Sequence, residues 1–178
     1  IMRVDGFAMM PNFSFGMAMT TFVGQNVGAN RMDRVEEGTK NGLKLGIGTA
    51  VVLVLCLIFF GVYLIELFTQ TEALIDLSVQ MLRLLAVGYI AMAVTQILSG
   101  AMRGAGDTVS PMWISLVTTV VIRVPVAYLL AFLTRNEARP NGEPYALFLS
   151  MLISWVMGAV ITVIVFRRGK WKNKAIIH

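Results

Sequence analysis

The sequence predicts an all-α integral membrane protein with five transmembrane helices, and two observations predict it. Residues 6–30, 45–65, 84–102 and 144–166 carry no Asp, Glu, Lys or Arg, and residues 108–134 carry only Arg123. About 20 apolar residues of helix cross a bilayer core, and a backbone in lipid must satisfy its own hydrogen bonds, which favours helices. Hydrophobic residues make up 57% of the 178-residue chain and charged residues 14%, whereas soluble domains hold roughly half and about a quarter. The mean hydropathy is +0.74.

The first span is expected at about 6–27, kinked or locally broken at Pro11. A polar loop from Gly28 to Lys44 follows, part of it suited to an amphipathic surface helix. The second span covers about 43–68, and the connection Thr69 to Asp76 leads to a third at about 77–102. A tight turn, Arg103 to Thr108, precedes the fourth span at about 111–133. The loop from Thr134 carries the turn signal Pro140-Asn141-Gly142. The fifth span, about 145–166, ends in a basic tail, 167–178.

Basic residues near helix ends set the orientation. Arg31, Arg34, Lys40, Lys44, Arg103 and five tail residues share one side; Arg3, Arg83, Arg135 and Arg139 share the other. The tail is therefore expected in the cytoplasm and the start of the chain outside. The net charge of +5 follows from this topology and calls for no nucleic-acid partner; the expected surroundings are membrane lipid. The lone Cys56, mid-span, reads as a small buried apolar residue, and the only histidine is His178. No cluster for a resident metal or for catalysis is visible. A first span so close to Ile1 suggests the C-terminal portion of a longer protein.

Small and polar residues recur every four positions: Asn12, Gly16, Thr20 and Gly24; Gly88, Met92, Gln96 and Gly100; Ser150, Ser154, Gly158 and Thr162. Each set lies on one helix face, where it serves helix packing or lines a polar cavity. Asn12 and Gln96 are the better cavity candidates, because a buried amide needs a partner.

Two segments at the basic side stand out. In Gly24-Gln25-Asn26-Val27-Gly28-Ala29, Gly28 is suited to the left-handed conformation that ends a helix, and Gln25 and Asn26 to bonding the last carbonyls. In Leu98-Ser99-Gly100-Ala101-Met102-Arg103-Gly104-Ala105-Gly106-Asp107-Thr108, Gly104 and Gly106 permit a reversal and Asp107 suits an N-cap. Pro111 is tolerated in a first turn, and Arg103 is placed to pair with Asp107.

Together these segments, with Arg123-Val124-Pro125-Val126-Ala127-Tyr128, resemble the multidrug and toxic compound extrusion (MATE) family of antiporters along nearly the whole chain. The resemblance implies twelve helices in two lobes, of which this chain would be the second lobe without its first helix. It implies export of organic, often cationic, small molecules, driven by Na⁺ or H⁺, from a cavity between this lobe and a missing N-terminal one. Some members carry an acidic residue where Met92 stands here, so coupling through a buried carboxylate would rest on the other half. Phe13, Phe15, Phe22 and the methionines of the first helix, Met17 among them, suit a promiscuous apolar site or ordinary lipid-facing surface. Arg123 is the one deep charge, assigned either to a cavity or to a structural role with carbonyls freed by Pro125. A lipid-linked precursor flippase and a non-transporting scaffold subunit are the alternatives; an enzyme lacks the chemistry.

Overall fold

A computed structural model describes residues 2–66, 71–135 and 145–174. Five helices form an up-and-down bundle: α1 Met2–Gly28, α2 Met32–Glu66, α3 Glu72–Gly104, α4 Val109–Leu133 and α5 Tyr145–Arg167, with a 3₁₀ turn at Lys170–Lys174. Helices α2 to α5 are long and apolar enough to cross a membrane. Helix α1, 27 residues long, has the length, but Asn12, Ser14, Thr20, Thr21, Gln25 and Asn26 dilute its apolar character. Residues 67–68 of the expected second span, Arg139, the Pro140-Asn141-Gly142 signal and His178 lie outside the described residues.

Helix α3 is the central element, flanked by α1, α2 and α5. The stripes of small residues explain why. Asn12 Nδ2 donates to the Tyr89 carbonyl at 3.1 Å, with Asn12 only 3% exposed. A Cβ at Gly16 would lie 3.1 Å from the Gln96 carbonyl oxygen, and one at Gly104 would lie 2.5 Å from the Thr20 oxygen. The two backbones therefore touch along about three turns, a separation that only glycine allows. On α5, Ser150, Ser154, Gly158 and Thr162 are all buried; Ser154 Oγ donates to the Thr118 carbonyl of α4 at 2.8 Å.

Several expectations need correction. The segment read as a loop from Gly28 to Lys44 is mostly helix: only 29–31 interrupt it, and α2 runs 35 residues. At 1.5 Å per residue that is about 52 Å, some 20 Å more than a hydrocarbon core of about 30 Å. The charges of residues 33–44 ride on the outer face, while Val35 and Thr39 continue the buried stripe of Gly46, Ala50, Val54 and Leu57. Gly38 and Gly42 receive the Phe22 ring and the Met19 sulfur from α1. Pro11 does not interrupt α1; it removes a single N–H, and the neighbouring turns keep theirs.

Helix α4 is not a plain α-helix. Val117–Arg123 is a π segment, ending just before Pro125, which has no N–H for the carbonyl four residues back. The Ser154 hydroxyl takes up the Thr118 carbonyl of the widened stretch. Cys56 is exposed rather than buried, because it stands between the buried positions Val54 and Leu57 of α2.

Both turns at the basic end share one geometry. After α1, Asn30 is left-handed (φ 54°), Arg31 N–H reaches the Asn26 carbonyl at 2.8 Å, and Asn30 N–H reaches Val27 at 2.9 Å. After α3, Gly106 is left-handed (φ 90°), Asp107 N–H reaches Met102 at 2.9 Å, and Gly106 N–H reaches Arg103 at 3.0 Å. Both are Schellman caps. The left-handed residue of the first is therefore Asn30 and not Gly28, which stays helical. Gly104 serves close approach, and Gly106 makes the reversal.

Candidate functional site

The front of the α1–α3 pair holds an open cavity of about 580 Å³, lined by Phe13, Met17, Thr20, Thr21, Gln96 and Arg103. Positions 13, 17, 20 and 21 form one face of α1, and 96 and 103 lie two turns apart on α3. The cavity is thus a groove along both helices.

The groove has an apolar and a polar part. Phe13 and Met17 are exposed and offer an aromatic face and a thioether. The hydroxyls of Thr20 and Thr21 already donate to their own helix, to Gly16 O at 2.9 Å and Met17 O at 3.3 Å. Their lone pairs remain as acceptors. The Gln96 carboxamide is half-buried and the Arg103 guanidinium exposed, and neither bonds to another described side chain. Arg103 is the one ionised group in the lining.

Of the five cavity residues expected from sequence, the groove takes only Gln96. Asn12 turns into the α1–α3 core, where its amide is used by Tyr89. Phe15 faces the opposite way, against the buried cluster that includes Met19, Val35 and Ile97. Met92 packs against the cluster around Leu85 and Tyr89. Arg123, half-buried at the end of the π segment, lies away from the groove and makes no hydrogen bond or ion pair among the described residues. It does not cap carbonyls freed by Pro125. Phe13 and Met17 belong to the aromatic and methionine set of the first helix and Thr20 to its four-residue stripe, but the sequence did not join them with Thr21 into one face, although their i, i+4, i+7, i+8 spacing is the signature of a single helix face.

The turn residues divide similarly. Asn26 Nδ2 donates to the Phe22 carbonyl at 2.8 Å, whereas Gln25 and Gly28 are exposed. Asp107, 1% exposed, accepts from the Ser110 N–H at 3.2 Å and the Ser110 hydroxyl at 2.6 Å. It caps the first turn of α4 in this way and does not pair with Arg103. Pro111 is buried in that first turn. Trp171, in the segment expected as a basic cytoplasmic tail, is 2% exposed. Among the described residues, no three His, Cys, Asp or Glu side chains gather to hold a metal ion.

The MatE family model matches residues 1–129. A "Probable multidrug resistance protein NorM" of Thermotoga maritima is 23% identical over 175 residues, covering 98% of this chain and 36% of that protein. "Probable multidrug resistance protein YoeA" of Bacillus subtilis is 28% identical over 153 residues, 85% of this chain and 33% of that protein. The solved "MATE transporter ClbM in complex with Rb+" has the same fold, with a TM-score of 0.81 at 24% identity, over 98% of this chain and 40% of that one. The chain spans about a third of the length of the curated relatives it matches. A family match over residues 1–129, on a chain with four helices long and apolar enough to cross a membrane, establishes that this chain belongs to the MatE family.

Proposed function

We propose that the protein containing this chain is a secondary active multidrug exporter. It exchanges Na⁺ or H⁺ for organic, often cationic, compounds by alternating access, in the cytoplasmic membrane with the C-terminus in the cytoplasm. The single observation that carries the reading is the groove, where an aromatic ring and a thioether face an unbonded carboxamide. Such a lining fits varied apolar solutes and fixes them with few polar contacts.

In this reading the open side of the groove faces a second lobe of the same protein, and the site is complete only between the two. Rocking of the lobes would expose it to either side in turn. No carboxylate lines the groove, so the coupling ion is assigned to the other lobe. Arg103 has the wrong sign to hold a cation and belongs with Gln25–Gly28 and Asp107 to turns that move as units. A flippase for a lipid-linked anionic precursor is disfavoured, because the lining offers a single cation.

The test uses the full-length protein in proteoliposomes with an imposed Na⁺ or H⁺ gradient and a fluorescent organic cation. Gradient-dependent movement is expected, with a raised KM in Met17→Ala and Gln96→Ala. No movement under either gradient, or unchanged kinetics in the double variant, overturns the proposal.

A further inference from the structure

Beyond the residues matched by the family model, α5 ends in a tucked-in segment. Gly169 is left-handed (φ 71°) and reverses the chain, and its N–H bonds the Phe166 carbonyl at 3.1 Å. The turn returns Trp171 against Phe166, rings stacked with centroids 4.9 Å apart, and the indole Nε1–H donates to the Phe166 carbonyl at 2.9 Å. Trp171 is buried in one cluster with Val23 of α1, Val35 of α2, Ala101 and Met102 of α3, and Ile114 of α4. Lys172 then pairs with Glu36 of α2. One short segment is thus tied to α5 and α2 by a hydrogen bond and an ion pair, and its indole completes a buried cluster drawn from the basic ends of the other helices.

The cluster is the reverse side of the groove. Met102, fully buried among these residues, adjoins Arg103, which points outward into the groove, and Val23 lies on the turn of α1 that carries Thr20 and Thr21. On its α1 side the last turn of α3 is already in backbone contact through Gly104, and the indole backs the cluster of Ala101 and Met102 behind it. A smaller side chain would leave a cavity into which the helix ends relax.

We infer that Gly169–Lys174 is a strap and that Trp171 is a positioning residue, which sets the basic end of the groove through the last turn of α3. Part of its test rests on the proposed transport; the rest does not.

The experiment uses the full-length protein with all native cysteines, Cys56 among them, replaced by Ser and a reporter Thr21→Cys, labelled by a membrane-impermeant maleimide. Trp171→Ala is expected to change the labelling rate about fivefold or more, roughly 1 kcal/mol, and to raise the KM for efflux more than it lowers kcat. Trp171→Phe, which keeps the stack but not the indole bond, should restore most of both. If Trp171→Ala does not fold, the charge reversal Glu36→Lys should give a smaller change of the same kind, and Lys172→Glu added to it should cancel that change. Unchanged labelling in Trp171→Ala, equal impairment in the Ala and Phe variants, or no recovery in the charge swap overturns the inference. If the wild-type protein proves inactive in transport, the efflux reading fails while labelling still decides the strap.

Discussion

A methyl group added at Gly104 should force α1 and α3 apart. A Cβ there would meet the Thr20 carbonyl oxygen at 2.5 Å, the Val23 Cβ at 2.8 Å and the Gly24 nitrogen at 3.1 Å. Two of these are backbone atoms, which cannot swing aside as a side-chain tip can. Restoring a normal contact of about 3.5 Å requires about 1 Å of separation, and that movement weakens the contacts along the whole crossing. Overpacking of this kind costs about 1–3 kcal/mol, and Ala regains up to about 1 kcal/mol of helix preference over Gly. Gly48 is the internal control, since a Cβ there meets nothing within 4 Å. Gly48→Ala should be neutral or slightly stabilising, and Gly104→Ala less stable than it by about 2 kcal/mol. Reversible unfolding of the full-length protein in mixed micelles reads the difference. Equal stability of the two variants would refute the close backbone contact at the basic end.

Asn12→Ala removes the buried bond to the Tyr89 carbonyl. It should cost about 0.6–1.7 kcal/mol, the range for hydrogen bonds between membrane helices, in the same unfolding measurement. Asp107→Ala should cost about 1 kcal/mol through the lost cap, with Asp107→Asn recovering much of it; hydrogen exchange should show the loss first at the Ser110 amide. Ser154→Ala leaves the Thr118 carbonyl without its hydroxyl donor, and exchange should rise within 117–123 while α5 stays protected.

The five helices were legible because each apolar stretch matches the thickness of a bilayer. The stripes on α1, α3 and α5 were legible as packing faces, and the structure uses them so except where Thr20 and Gln96 also line the groove. The extension of α2 was hidden by its charges: residues 33–44 look like a loop by polarity, and only the spacing of Val35, Thr39 and Gly46 reveals the helix. The groove was legible only in part, for a related reason. Of the two amides that mark a polar face, Asn12 finds its partner inside the bundle. Phe13, Met17, Thr20 and Thr21 look like ordinary membrane-helix residues until α3 is laid beside them. Trp171 offered a cue, a lone aromatic ring among basic residues, but where it docks depends on helix ends remote in sequence. The choice of Asn30 over Gly28 as the left-handed residue follows from where α1 runs out of hydrogen-bond partners, a matter of a residue or two that composition does not fix.

The π segment of α4 carries a consequence for insertions and deletions. A widened turn absorbs the equivalent of one extra residue, and an α-helix rotates by about 100° per residue. Removing one residue between 117 and 123 would let α4 relax to a regular helix with both halves still facing their present neighbours. Removing one elsewhere in α4 would turn one half about its axis, swinging either Thr118 away from Ser154 or Arg123 to another side of the helix. Length variants should therefore be tolerated inside those seven residues and rejected outside them.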